Sequence, residues 1–178
     1  PVSIFKDYNL CSIDEKIIYK TLNSSGTSGQ EVSKIYLDKG NASLQTKVLT
    51  KIVSSVLGNK RLPMLIIDSQ SVIKDRNLFT ARGAGITGFS IFGKDITYAL
   101  DENMELNFEK IISFFQRHKN EKFFIFGFTF IIWKYFVKYI HENNLKLPRI
   151  NGVLIHGGGW KKLVSEEVDN IQFKQNIF

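Results

Sequence analysis

The stretch from Phe123 to Trp133, Phe-Phe-Ile-Phe-Gly-Phe-Thr-Phe-Ile-Ile-Trp, is the most apolar in the chain and admits few structures. A membrane-spanning helix needs about 20 consecutive apolar residues, and Lys134 and Lys138 interrupt this run too early. The pattern predicts instead a buried strand over Phe123–Phe126 followed by a helix. In that helix Ile132, Tyr135, Phe136, Tyr139 and Ile140 recur at helical spacing, while Lys134, Lys138 and Glu142 face away. The aromatic stripe reads as core.

A second run, Pro63-Met64-Leu65-Ile66-Ile67-Asp68, is continuously apolar and ends on a carboxylate. That pattern suits a buried parallel strand with function at its carboxyl edge. Asn151–His156 reads as a further strand. Around these lie a short strand over Ile17–Leu22, another returning over Val32–Leu37, and a helix from Asn41 to Leu57 capped by Asp38 and stopped by Gly58. Asn107 to His118 reads as a helix with Phe108, Ile111, Ile112 and Phe115 inward. Phe89–Phe92 and Ile96–Leu100 read as strands, and Lys161–Asn170 as helical. Strands alternating with helices, without repeat or linker, predict one α/β unit with a largely parallel sheet flanked by helices.

The 24 Lys and Arg residues exceed the 17 Asp and Glu, for a net charge of +7. They are spread along the chain, and the densest group is Lys161-Lys162. Nucleic-acid recognition requires a clustered basic stripe, so it is not the reading. The single cysteine, Cys11, excludes an internal disulfide framework and a cysteine zinc cage, and fits a reducing cytoplasm. His118, His141 and His156 are too scattered to argue a metal site. The chain opens on Pro1-Val2-Ser3 with no initiator Met, which predicts a processed or excised piece, and it shows no signal-peptide pattern.

Three glycine-containing segments carry possible chemistry. Gly83, Gly85 and Gly88 form a literal G-x-G-x-x-G, but the strand-like Phe89-Ser90-Ile91-Phe92 follows where a dinucleotide fingerprint needs a helix. A turn-rich pocket wall is the expected use. Ser24-Ser25-Gly26-Thr27-Ser28-Gly29, between two strands, can form a nest whose hydroxyls and amides converge on phosphate oxygens. An ordinary polar hairpin connection has the same composition. Finally, Gly157-Gly158-Gly159-Trp160 follows a buried strand. Three glycines cost conformational entropy, which suits a ligand lying against bare backbone; a strand-to-helix turn with Trp160 closing the core is the other reading.

These two loops, in this order, resemble the adenylate-forming ligase superfamily, whose phosphate loop has the form Ser/Thr-Ser-Gly-Thr-Thr/Ser-Gly. Within it the chain is most similar to the acyl-protein synthetases of the LuxE type. The resembling stretches are Pro1–Lys6, Ser24–Gly29 with Ser33-Lys34-Ile35, Phe126–Phe130, and His156–Lys162. The resemblance implies part of the large N-terminal domain of such an enzyme, truncated at both ends. It also implies ATP-dependent activation of a fatty or other carboxylic acid as an acyl-adenylate, then transfer to a protein thiol.

By the same resemblance, Ser24, Ser25, Gly26, Thr27, Ser28 and Gly29 would hold the phosphates of ATP, with Mg²⁺ bridging them. Gly157, Gly158, Gly159, Trp160 and Lys161 would lie beside the nucleotide, and Gly127 and Phe128 would line the acyl channel. The superfamily's Pro-Lys after the phosphate loop is Gln30-Glu31 here, so the first available lysine is Lys34. An acyl-transferase or acyl-reductase is the implied protein partner. The superfamily's aromatic-Gly-x-x-Glu loop, its late lysine and the acyl-accepting cysteine all fall beyond Phe178. The expectation is therefore a part inactive alone, with no catalytic residue assigned. An acyl- or aryl-CoA ligase and a non-catalytic module binding an acyl-bearing partner are the alternatives.

Overall fold

A computed structural model of the chain describes residues 4–23, 32–74, 81–160 and 164–177. The chain divides into two compact units, Pro1–Asn59 with Asp75–Gly88, and Lys60–Lys74 with Phe89–Phe178.

The first unit begins with a single helical turn, α1 (Ile4–Asp7), and a 3-10 turn at Glu15–Ile17. The Asp14 carboxylate accepts the Lys16 N–H at 2.9 Å, which turns the chain where the sequence suggests strand. The strand therefore starts later, as β1 (Lys20–Asn23), and pairs antiparallel with β2 (Lys34–Leu37). Asp38 then caps α2 (Lys39–Leu57), its Oδ1 accepting the Asn41 N–H at 2.6 Å. Gly58, at φ +88°, stops it.

Helix α4 (Ala81–Ser90) gives its residues up to Gly88 to this unit. The expected turn-rich wall at Gly83–Gly88 and strand at Phe89–Phe92 are thus corrected: these residues are helical through Ser90. A glycine in a helix costs about 1 kcal/mol relative to alanine. Packing does not require glycine at Gly88, where a Cβ would meet Leu49 of α2 at an ordinary 3.8 Å. Ile86 is completely buried.

The second unit is a four-stranded parallel sheet. Its strands are β3 (Leu62–Ser69), β4 (Gly93–Leu100), β5 (Phe123–Phe128) and β6 (Gly152–Gly157), in the spatial order β4-β3-β5-β6. Leu65 and Ile67 point to one face, where they pack with Ile111, Phe114 and Phe115 of α5 (Phe108–Arg117). Met64, Ile66, Phe124 and Phe126 point to the other and are also buried. There Phe89 stacks on Phe126 with ring centroids 4.4 Å apart, which explains why the end of α4 is helical rather than extended. Each fully buried side chain of this size contributes about 1.5–3 kcal/mol. Burial on both faces is why these strands read as unbroken apolar runs.

After β5 the chain enters α6 (Thr129–Ile131), passes through a π-helical stretch at Ile132–Val137 and ends in α7 (Lys138–Glu142). Ile132 and Phe136 are buried as the spacing predicts, but Trp133 and Val137 are buried too, and Tyr139 is exposed. An i→i+5 turn widens the helix, so a face counted at 3.6 residues per turn slips along it.

The helix expected over Lys161–Asn170 is also corrected. Val164–Glu166 is a 3-10 turn, and the helix is α8 (Asn170–Ile177), capped by Asp169 through the Gln172 N–H at 2.8 Å. A further turn, α3 (Ser71–Lys74), follows β3. Among the described residues no helix is long and apolar enough to cross a membrane.

Candidate active site at the carboxyl edge of the parallel sheet

The chain leaves β3 toward β4 on one side, then returns across the sheet to β5 on the other. Neighbouring strands whose connections diverge leave a crevice at their carboxyl ends, where open α/β sheets bind ligands. Here that edge is built by Asp68 and Ser69 of β3, Phe128 at the end of β5 with Thr129 at the start of α6, and His156 and Gly157 at the end of β6 with Gly158 and Gly159 after it.

Asp68 is fully buried and accepts the Ser69 N–H at 2.6 Å. The Ser69 hydroxyl lies 2.9 Å from that of Ser71 and accepts the Ser71 N–H. Burial, and then the charge of Asp68, raise the pKa of the Tyr98 phenol on β4. The carboxylate expected at the end of this apolar run is therefore at the edge and inside the protein.

The glycine loop leaves the same edge from β6. Gly158 has φ +78°, and a Cβ there would sit 3.1 Å from Phe128 Cδ1. This position requires glycine for backbone and space together. Gly157 and Gly159 differ, because a Cβ on either would meet no described atom within 4 Å. Their bare backbone borders open space.

Thr129 ties this loop to the neighbouring strand. Its Oγ1 lies 3.2 Å from Gly157 O, 3.1 Å from Gly158 O and 2.9 Å from His156 Nδ1. The His156 ring packs against Phe173 of α8 with centroids 4.9 Å apart, and burial lowers its pKa. Trp160 meets Trp133 and Phe173 edge-on, at 5.8 and 6.2 Å, so it closes an aromatic cluster on the core.

Gly127 is buried on β5, where a Cβ would come within 2.9 Å of Ile132 and 3.2 Å of Ile67. Close packing accounts for this glycine. Phe128 is half-buried, edge-on to Phe126 at 5.9 Å and against Gly158. Lys34 belongs to the other unit, where it is exposed on β2 and pairs in register with Asn23. It therefore stands at the foot of the connection between β1 and β2. It also lines a groove of about 540 Å³ with Lys6, Tyr8 and Tyr36. Ser24, Ser25, Gly26, Thr27, Ser28, Gly29 and Lys161 lie outside the described residues.

Sequence reasoning assigned no role to Thr129, Ser69, Tyr98 or Phe173. A threonine after Phe126-Gly127-Phe128 gives no sign that it meets a histidine 27 residues later. Cys11 is half-buried, its thiol directed at Ile13 O at 3.1 Å, as a small packed side chain would be.

No curated protein and no solved structure matches the chain. A family model does, over residues 1–178, and it is the one described as acyl-protein synthetase, LuxE. Its match takes in both the glycine loop at the sheet edge and the serine-glycine segment between β1 and β2. The chain therefore belongs to the LuxE acyl-protein synthetase family, ligases that activate acyl groups and transfer them to protein.

Proposed function

We propose that the protein activates a fatty acid with ATP as an acyl-adenylate and passes the acyl group to a protein thiol. The observation that carries this reading is membership of the family together with a glycine loop that leaves bare backbone at the carboxyl edge of a parallel sheet. In the first step a carboxylate oxygen bonds to the α-phosphorus while the bond to pyrophosphate breaks. In the second, the thiol sulfur bonds to the acyl carbon, AMP leaves and the thiol proton is released. The activation step needs no protein nucleophile; its demand is positioning and charge neutralisation.

Ser24, Ser25, Thr27 and Ser28 would hold the β- and γ-phosphates with hydroxyls and loop amides, with Lys34 at the foot of that connection as the nearest assigned cation. Gly157 and Gly159 would let the nucleotide and the acyl carboxylate approach the backbone. Phe128, Trp160 and Lys161 would border them, and Gly127 would keep the β5 strand close to the Ile132 turn beneath. Among the described residues no group of three His, Cys, Asp or Glu side chains could hold a metal ion. The acyl-accepting partner is read as an acyl-transferase or acyl-reductase protein.

Isothermal titration with ATP tests the phosphate loop. The wild-type protein is expected to bind ATP, and the Ser25→Ala, Thr27→Ala double variant to bind at least about tenfold more weakly, the size of one or two lost charge-assisted hydrogen bonds. Equal affinity for the two proteins would remove the loop from the site.

A further inference from the structure

The Thr129 hydroxyl has three neighbours within hydrogen-bond distance and one proton to give. Two of the neighbours, Gly157 O at 3.2 Å and Gly158 O at 3.1 Å, are carbonyl oxygens and can only accept. The proton is therefore committed to them, shared between the pair. What faces His156 Nδ1, at 2.9 Å, is an oxygen lone pair. A hydrogen bond at that distance then requires the proton to be on Nδ1. Were Nδ1 instead the acceptor, both glycine carbonyls would face an oxygen with no hydrogen between them.

The geometry points to Thr129 as a positioning residue that locks His156 in the Nδ1–H tautomer, so that Nε2 is an acceptor at the lip of the glycine loop. There it reads a hydrogen-bond donor, N–H, O–H or S–H, on the ligand lying against Gly157 and Gly159. Among the described residues nothing hydrogen-bonds Nε2, and the ring is held from one side by Phe173. One hydroxyl thus does two things. It pins the loop's carbonyls to the start of α6, and it decides which face of the imidazole is basic. The lowered pKa of His156, caused by burial, is consistent with a ring that stays neutral.

The ligand part of this inference rests on the proposed acyl-adenylate chemistry; the tautomer does not. Nitrogen-15 correlation spectra of the histidine side chains read the tautomer directly. The wild type is expected to show His156 protonated at Nδ1. Thr129→Ser should keep that signature, and Thr129→Val should lose it. His156→Asn keeps a donor near the Nδ1 position and removes the Nε2 acceptor. It should lower one half-reaction about five- to tenfold, the size of one hydrogen bond.

A loss in fatty-acid-dependent exchange of pyrophosphate into ATP, read as a raised KM for ATP, places the donor on the nucleotide. A loss confined to acyl transfer places it on the thiol. An Nε2–H signature in the wild type overturns the proposal, and so does a Thr129→Val variant that keeps both the Nδ1–H signature and full activity. If Thr129→Val does not fold, the wild-type and Thr129→Ser spectra decide. An Nδ1–H signature in a protein without acid-dependent exchange would leave the lock standing and overturn the functional reading.

Discussion

Gly158 lies against Phe128 so closely that a Cβ would come within 3.1 Å of its ring, and its backbone is left-handed at φ +78°. The two adjoining glycines carry neither constraint. One loop therefore holds a glycine that the fold needs and two that it does not, which separates structural cost from functional cost by mutation.

Gly158→Ala should destabilise the protein by about 1–2 kcal/mol, the cost of a left-handed alanine, with a further contribution if Phe128 must move. Gly157→Ala should leave stability within about 0.5 kcal/mol, as for a change into open space. It should nevertheless lower acyl-adenylate formation, because the methyl group occupies the backbone face assigned to the ligand. Urea unfolding and a single-turnover adenylation assay on the two variants test both statements. Equal stability of the two would contradict the assignment of Gly158.

At Gly127 the expectation is purely structural. A methyl group there meets Ile132 at 2.9 Å and Ile67 at 3.2 Å, both in the core. Gly127→Ala should cost about 1–3 kcal/mol by overpacking, read as a lower unfolding midpoint. A midpoint at or above the wild-type value would show that the β5–α6 corner has room to spare.

At the opposite end of the sheet, Glu121 accepts from Lys94 at 2.6 Å and lies 2.7 Å from His118 Nδ1. The hydrogen bond to Lys94, followed by that to His118, holds its pKa below the ordinary glutamate value. The unfolded chain thus takes up this proton at higher pH than the folded one. The contribution is fully present above the ordinary glutamate range and is lost as pH falls through the lowered folded value. Thermal unfolding from neutral to acidic pH should show this loss in the wild type and a flatter profile in Glu121→Gln. Identical profiles would mean that the Lys94–Glu121–His118 cluster is energetically silent.

Asp38 offers a simpler check on the first unit. Its carboxylate caps α2 through the Asn41 N–H, and Asp38→Ala should cost about 1 kcal/mol. Asp38→Asn should recover most of it, since an amide oxygen can accept the same bond. No difference between the alanine and asparagine variants in denaturant midpoint would remove the cap.

The legible parts of this fold are those whose signals are local. Asp38 and Gly58 bracket α2 because capping and left-handed termination act within a turn. β3 and β5 stand out because a strand buried on both faces needs no polar alternation. Other features depended on distant partners. Ala81–Ser90 contains three glycines and reads as turn, yet Phe89 finds Phe126, and that contact outweighs propensity. The π-helical stretch at Ile132–Val137 breaks the periodicity on which the inward face was counted.

At the site, the glycine loop and the carboxylate ending β3 were visible as residue types after apolar runs. The Thr129–His156 contact was not, because it joins two strands' ends across 27 residues. Phe173 was likewise invisible as a partner of His156 and Trp160, since α8 begins where Asp169 caps it rather than where the polar run begins.

Exchange of labelled pyrophosphate into ATP by the whole enzyme, with and without a long-chain fatty acid, tests acyl activation most directly. The account predicts exchange that requires the acid and falls sharply in the Ser25→Ala, Thr27→Ala variant. Exchange that is indifferent to the acid, or equal in the variant and the wild type, would contradict it.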